Sequence, residues 1–307
     1  MRLRSLFAST ILVAALATAA ACTGDDDDPG DDALHVLASN GIVADWVASV
    51  AGERVEVDAL IPAGADLHSF QLSPSAVRAI GDADLVMLVG AALEANFEGT
   101  VRENASGPVI ELAEGLDLRE FEEHEDEHED QDEEDEHGHG AEDPHIWMDA
   151  DLAIAAVDRI AEELSALDPA NVDDYRANAR DYADEIREMD ATIAATLSGL
   201  PAKQKLLVTF HDAYGYFADR YGLTILGFVV ENADEEPSAA TLGALITDMR
   251  EAGAAAIYVE PQFSARVVQQ VAAETGAEVR TIPSDALTAD YPTYIALMEA
   301  MADGIAS

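Results

Sequence analysis

Lysine is almost missing from this chain of 307 residues, with Lys203 and Lys205 its only examples. The other side-chain cations are arginines, and the formal net charge is −46. Without a basic footprint, nucleic acid and anionic membrane surfaces are poor partners. Cations are what such a surface attracts. Cysteine is scarcer still: Cys22 stands alone, so an internal disulfide and a thiolate zinc site are both excluded. Beyond the N-terminus no apolar run reaches membrane length. Also absent are a phosphate-cradling glycine loop with its lysine, a serine nucleophile elbow and a His-Glu-x-x-His pair. These gaps leave the common nucleotide-dependent and serine-hydrolase chemistries without a motif.

The N-terminus is organised as a targeting segment. Arg2 and Arg4 give a basic start, Leu6 to Ala20 is apolar but short for a membrane span, and small residues precede Cys22. Residues 1–21 are read as a signal peptide. It is either an ordinary secretory leader or, as expected here, a lipoprotein signal in which Cys22 becomes the lipidated first residue. Residues 22–33, with their aspartate run, form an acidic tether.

After the tether, apolar residues make up enough of the chain (49% overall) to build a sizeable core. Strand-like and helix-like stretches alternate. Val36 to Ser39, Val55 to Ile61 and Leu85 to Val89 read as strands, with helical stretches from Ile42 to Val50 and Pro74 to Ile80. Short apolar runs bounded by Gly, Asp and Pro fit parallel strands covered by helices. This α/β lobe is placed at 34–167. Asp168-Pro169 reads as a helix start, and Tyr175, Ala179, Tyr182, Ile186, Met189 and Ile193 mark one apolar stripe. The spacing predicts a long linker helix within 168–200. A second α/β lobe at 201–307 follows, with strands from Leu206, Leu223, Ala255 and Glu278. The expected fold is thus two βα lobes with parallel sheets and one linker helix.

Between the lobes' elements lies an unusual run at 122–140, EEHEDEHEDQDEEDEHGHG, with a dozen carboxylates and four histidines, His124, His128, His137 and His139. No apolar residue interrupts it, so it cannot bury a core and is expected to be a mobile loop. Imidazole suits zinc and its neighbours, whereas carboxylates alone suit calcium, magnesium or manganese. The run ends beside His145. It is either a solvated insert without a role, a weak collector of metal, or a metal sensor.

His35, His68, His145 and His211 remain. His68 lies just beyond a strand, and His211 directly follows Leu206-Leu207-Val208-Thr209-Phe210. Asp285 follows Val279-Arg280-Thr281-Ile282 in the same way. Open α/β sheets bind ligands at the carboxyl ends of their strands. His35 starts its strand, at the wrong end, and is set aside. His68, His145, His211 and Asp285 divide two and two between the lobes and suit a tetrahedral zinc site. Water in place of Asp285 would instead leave an open, catalytic geometry.

The motifs Gly64-Ala65-Asp66-Leu67-His68-Ser69-Phe70, Asp143-Pro144-His145-Ile146-Trp147-Met148-Asp149 and Thr209-Phe210-His211-Asp212-Ala213-Tyr214-Gly215-Tyr216-Phe217 occur in that order, followed by Glu236-Pro237-Ser238, Val259-Glu260-Pro261-Gln262-Phe263-Ser264 and Asp285-Ala286-Leu287. Together they resemble the ZnuA-like, zinc-type solute-binding proteins of metal-uptake ABC transporters, in the cluster A-I or cluster 9 family that also holds manganese binders. The resemblance implies two α/β lobes joined by one long helix with the metal in the cleft between them, and His68, His145 and His211 as ligands. Asp285 transfers less directly, because Ser284-Asp285-Ala286 stands where the family usually has Leu, Asp and Pro.

The expected function is therefore capture of Zn²⁺ outside the cytoplasm and delivery to an ABC-type metal permease, by a monomer anchored through Cys22. In manganese-type relatives an acidic residue tends to stand where His211 stands, and a third imidazole shifts the site towards zinc. A manganese-binding counterpart, a metal-dependent adhesin and, from another class, a secreted zinc hydrolase are the alternatives. Phe70, Trp147, Tyr214, Tyr216 and Phe217 are expected to shield the metal. Asp66, Asp149, Asp212 and Glu260 are candidates to hold the imidazoles.

Overall fold

In the computed structural model, residues 33–121, 142–233 and 235–307 are described. Cys22 and the four histidines of the acidic run, His124, His128, His137 and His139, lie outside them. The first half builds a parallel sheet from the short apolar runs: β1 (Leu34–Ala38), β2 (Val55–Ala59), β3 (Leu85–Leu88) and β4 (Val109–Glu111). Their order is β2-β1-β3-β4, and every pairing is parallel. All four residues of β3 are buried, as expected for a strand covered on both faces. The helices α1 (Gly41–Ala51), α2 (Pro74–Asp82) and α3 (Glu98–Asn104) link the strands. Asn40 starts α1 by accepting the amides of Ile42 and Val43 at 2.9 and 3.0 Å, and Ser73 caps α2 through Ala76 N at 3.1 Å.

Two consecutive helices follow, α4 (Ala150–Leu167) and α5 (Val172–Ser198). The sequence reading marked only the second. Asp168-Pro169 does not open the long helix directly: Asp168 closes α4, and a 3₁₀ turn at Pro169–Asn171 leads into α5. The Asp168 carboxylate accepts from the Tyr175 hydroxyl at 2.8 Å and from Asn171 Nδ2 at 2.6 Å, which fixes the elbow between the helices. The stripe predicted from spacing is buried in full, from Tyr175 to Ile193. At 1.5 Å per residue, α5's 27 residues span about 40 Å.

The second half repeats the βα rhythm with β5 (Leu206–Thr209), α6 (Gly215–Tyr221), β6 (Thr224–Phe228), α7 (Ala239–Ala252), β7 (Ala256–Val259), α8 (Ala265–Thr275), β8 (Glu278–Thr281) and α9 (Tyr294–Ala306). β5 pairs with β6 and β7 with β8, both parallel, and β5 packs beside β7. The fold is mixed α/β with parallel sheets and one long helix, as the sequence predicts. α5 packs against α1 and α4 from the first half and α6 and α9 from the second. The larger apolar cluster follows that contact, joining the first sheet to Tyr214, Phe217, Tyr258 and Tyr294. A smaller one, including Val208, Met249, Ile257 and Val268, fills the space between the second-half strands and α7 and α8. No helix among the described residues is long and apolar enough to cross a membrane.

Ile186 is fully buried on α5. Replacing it with alanine is expected to cost about 2–5 kcal/mol in denaturant unfolding. Glu185→Ala, at an exposed neighbour, should change stability by about 0.5 kcal/mol or less. Equal small effects would contradict the burial of this stripe.

Candidate metal centre

His68, His145 and His211 come from three separate loops and meet at one point. His68 lies in the loop between β2 and α2, and His145 precedes a 3₁₀ turn at Ile146–Met148 that leads into α4. His211 is the second residue after β5. Their ring centroids form a near-equilateral triangle, 5.3 to 5.6 Å on a side, and one ligand atom from each lies within 4.8 Å of the others. Asp285, in the loop after β8, joins them: its Oδ2 is 3.7 Å from His68 Nε2 and 3.6 Å from His211 Nε2. His35, set aside from the sequence, sits elsewhere and meets Asp58 at 3.2 Å.

All three Nε2 atoms and both Asp285 oxygens are buried without a hydrogen-bond partner. Leaving one buried polar atom unpaired costs about 1–3 kcal/mol, and here five converge. A four-coordinate cation at their centre would pair the three Nε2 atoms and one Asp285 oxygen together. Tetrahedral zinc, with bonds of about 2.0–2.2 Å, sets its donors about 3.3–3.6 Å apart. The carboxylate-to-imidazole distances match that spacing with little further closure.

Two imidazoles are oriented by buried carboxylates. His145 Nδ1–H donates to Asp143 Oδ1 at 2.7 Å, and His211 Nδ1–H donates to Glu260 Oε1 at 2.8 Å. Holding the proton on Nδ1 leaves the Nε2 lone pair facing the centre. Of the four carboxylates proposed for this task, Glu260 performs it. Asp66 holds the backbone of His68 through its amide at 3.0 Å, whereas Asp149 caps α4 and accepts from Arg220. Asp143 was missed, although the signal was present. Asp66 and Asp143 both stand two residues before a histidine, and each accepts that histidine's backbone N–H at 3.0 Å.

The aromatic surroundings also differ in part from expectation. Trp147 packs against His145 at 5.3 Å, while Phe263 and Phe121 cover His211 and His145 at 5.5 and 6.4 Å. Phe70 instead meets Phe97. Trp147 Nε1 donates to Ser284 O at 2.9 Å, and the Tyr214 hydroxyl donates to Pro283 O at 3.1 Å. These two bonds hold the loop that carries Asp285.

Electrostatics follow from this packing. Burial pushes the Asp285 carboxyl up, but the imidazoles of His211, His68 and His145 outweigh it and hold Asp285 well below the usual carboxylate range. Burial pushes His211 down, yet the Glu260 and Asp285 carboxylates outweigh it and raise its pKa above the ordinary 6.5. Burial raises Glu260, with His211 opposing. The centre therefore sets the ionised Asp285 carboxylate beside His211, which its carboxylate neighbours draw towards its charged form.

A buried nitrogen-rich pocket with one carboxylate, at the strand ends of a parallel α/β chain, defines a metal-binding protein. The chain belongs to the family described as ZnuA, zinc-uptake complex component A, periplasmic, whose model matches residues 36–307. It is 31% identical to the high-affinity zinc uptake system protein ZnuA of Bacillus subtilis over 279 residues, 90% of this chain and 86% of that protein. It is 27% identical to the manganese ABC transporter substrate-binding lipoprotein PsaA of Streptococcus mitis over 281 residues, 89% of this chain and 85% of that protein. Among solved structures, the periplasmic zinc binding protein TroA from Treponema pallidum superimposes with a TM-score of 0.79, covering 89% of this chain and 98% of that one at 24% identity, a likeness of fold. The chain is thus a metal-binding solute-binding protein of the ABC-transporter type. The relatives it matches are named as uptake and substrate-binding proteins rather than enzymes.

The two carboxylate contacts predict the tautomers. Nitrogen-15 NMR of the metal-free protein at alkaline pH should show His145 and His211 protonated on Nδ1 and bare on Nε2. A proton on Nε2 of either ring would contradict this geometry.

Proposed function

We propose that this chain captures one Zn²⁺ outside the cytoplasm and delivers it to an ABC-type metal permease. The observation that carries the reading is the convergence of three buried, unpartnered imidazole Nε2 atoms on the Asp285 carboxylate. In this reading His68, His145, His211 and Asp285 are the ligands, with Asp285 rather than water as the fourth. His68 and His145 come from a lobe at 34–167, and His211 and Asp285 from a lobe at 201–307, with the helix of 168–200 between them. Docking on the permease would part the two groups of ligands.

The metal is chosen by donor chemistry. Three nitrogens and one oxygen suit zinc, whereas manganese prefers an oxygen-rich site. Relatives of similar identity are named for zinc and for manganese, so manganese is the second reading. Burial favours capture over hydrolysis: His145, His211 and Asp285 are at most 2% exposed, and only the His68 side chain, at 17%, is partly open among the four. In the same proposal Cys22 carries a lipid anchor, and the run at 122–140 is a weak zinc collector through His124, His128, His137 and His139.

The test is a zinc titration of the tag-free mature chain, with and without residues 122–140, against a competing chelator. One tight zinc that survives the deletion, with weaker sites that vanish, is the expected result. Tight binding lost with the run, or manganese displacing zinc from the surviving site, would overturn the reading. His211→Ala should weaken the tight site by at least about 100-fold, beyond the range for outer partners of a ligand.

Affinity should also depend on pH. His211 keeps its proton to a higher pH than an ordinary histidine, and zinc must displace that proton. Zinc affinity is therefore expected to fall as pH drops from about 8 to about 5.5. Asp285 stays ionised across that window. Competition titrations that show no change over this range would count against imidazole ligation.

A further inference from the structure

We infer that α6 clamps the loop carrying His145, with Tyr216 and Arg220 as positioning residues for metal capture. The inference rests on the proposal that His145 is a ligand. Tyr216 and Arg220 are four residues apart, so they share one face of α6. The Tyr216 hydroxyl donates to the carbonyl of Asp143 at 2.9 Å and accepts the backbone N–H of Arg119 at 2.8 Å. Arg220 Nη1 donates to both oxygens of Asp149 at 3.1 and 3.0 Å and to Asp151 at 3.0 Å. Its Nη2 reaches Asp190 on α5 at 2.8 Å. His145 lies between Asp143 and Asp149, so one face of one helix grips its loop at both ends.

The grip is close-packed. The Arg119 guanidinium lies over Gly215, where an added Cβ would come within 2.5 Å of Nη1. Arg119 also sits 3.8 Å from Asp143 Oδ2 and 3.2 Å from Asp219. Asp143 is the carboxylate that orients the His145 ring, so the clamp acts on the ring through its immediate partner.

The same helix begins four residues after His211, and Ala213 N bonds back to the His211 carbonyl at 3.1 Å. His145 and His211 are therefore set relative to one another by a single rigid element. His68 is supported differently, by Asp66 and by Asn96 Nδ2, which donates to the carbonyls of His68 and Phe70 at 3.3 and 2.6 Å. The pair of loop histidines tied to α6, His145 and His211, is preorganised, and His68 completes the set. Preorganised donors gain affinity because less ordering is left for the binding step.

The test uses the full mature chain carrying Tyr216→Phe, Arg220→Gln or Arg220→Lys, with His145→Ala as the reference. Zinc affinity by chelator competition, the visible spectrum of the Co²⁺-loaded protein and the melting temperature of the metal-free protein are measured for each. Tyr216→Phe and Arg220→Gln should each weaken zinc by about 10-fold, the lower end for outer partners of a ligand, and alter the Co²⁺ spectrum. Arg220→Lys should recover part of the loss. Tyr216→Phe keeps the ring and its packing, so it remains informative if Arg220→Gln does not fold. A lowered melting temperature with wild-type affinity and spectrum would overturn the clamp and leave a purely structural role. Wild-type affinity in His145→Ala would instead overturn the ligand assignment, a different failure from that of the clamp.

Discussion

The structure is organised around an unpaid desolvation. Five polar atoms on four side chains are buried together with no internal partner, and a folded chain leaves such groups only where something else will pair with them. A proton on one imidazole relieves part of this, which is why the carboxylates draw His211 towards its charged form. A divalent ion would pair all three imidazoles and the carboxylate at once. The loops, outer carboxylates and aromatic walls around the centre serve to keep those atoms pointed inward while water is kept away.

Topology supplies the convergence. Parallel strands bring their carboxyl ends to one side, and the loops leaving β2, β5, β7 and β8 carry His68, His211, Glu260 and Asp285 in turn. His145 is the exception, delivered by the loop before α4. That loop must be held by something other than a strand. Asp143 and Asp149 take the task locally, with α6 behind them.

Much of this was legible in the sequence because it rests on short-range signals. The apolar runs at Leu206–Thr209 and Ala256–Val259 are strands, and the stripe from Tyr175 to Ile193 is the buried face of α5. The four ligand candidates were marked by their places after strands or beside the acidic run, and they meet in space. Part of what escaped is carried by long-range pairing. Tyr216 bonds to residues 97 and 73 positions away, and no local pattern reveals such a partner. Asp168-Pro169, a strong helix-start signal, in the chain ends α4 and leads through a 3₁₀ turn into α5. Phe263 covers His211 across the fold, a contact that the residues flanking His211 do not suggest.

The central claim is that one ion sits among His68, His145, His211 and Asp285. A crystal structure of the zinc-loaded mature chain, with an anomalous difference map at the zinc edge, tests it most directly. One strong peak is expected in this centre, with three nitrogen contacts at about 2.0–2.1 Å and one oxygen contact at about 2.0–2.2 Å. A peak elsewhere, or an ion bound mainly by oxygen and water with the imidazoles turned away, would contradict it.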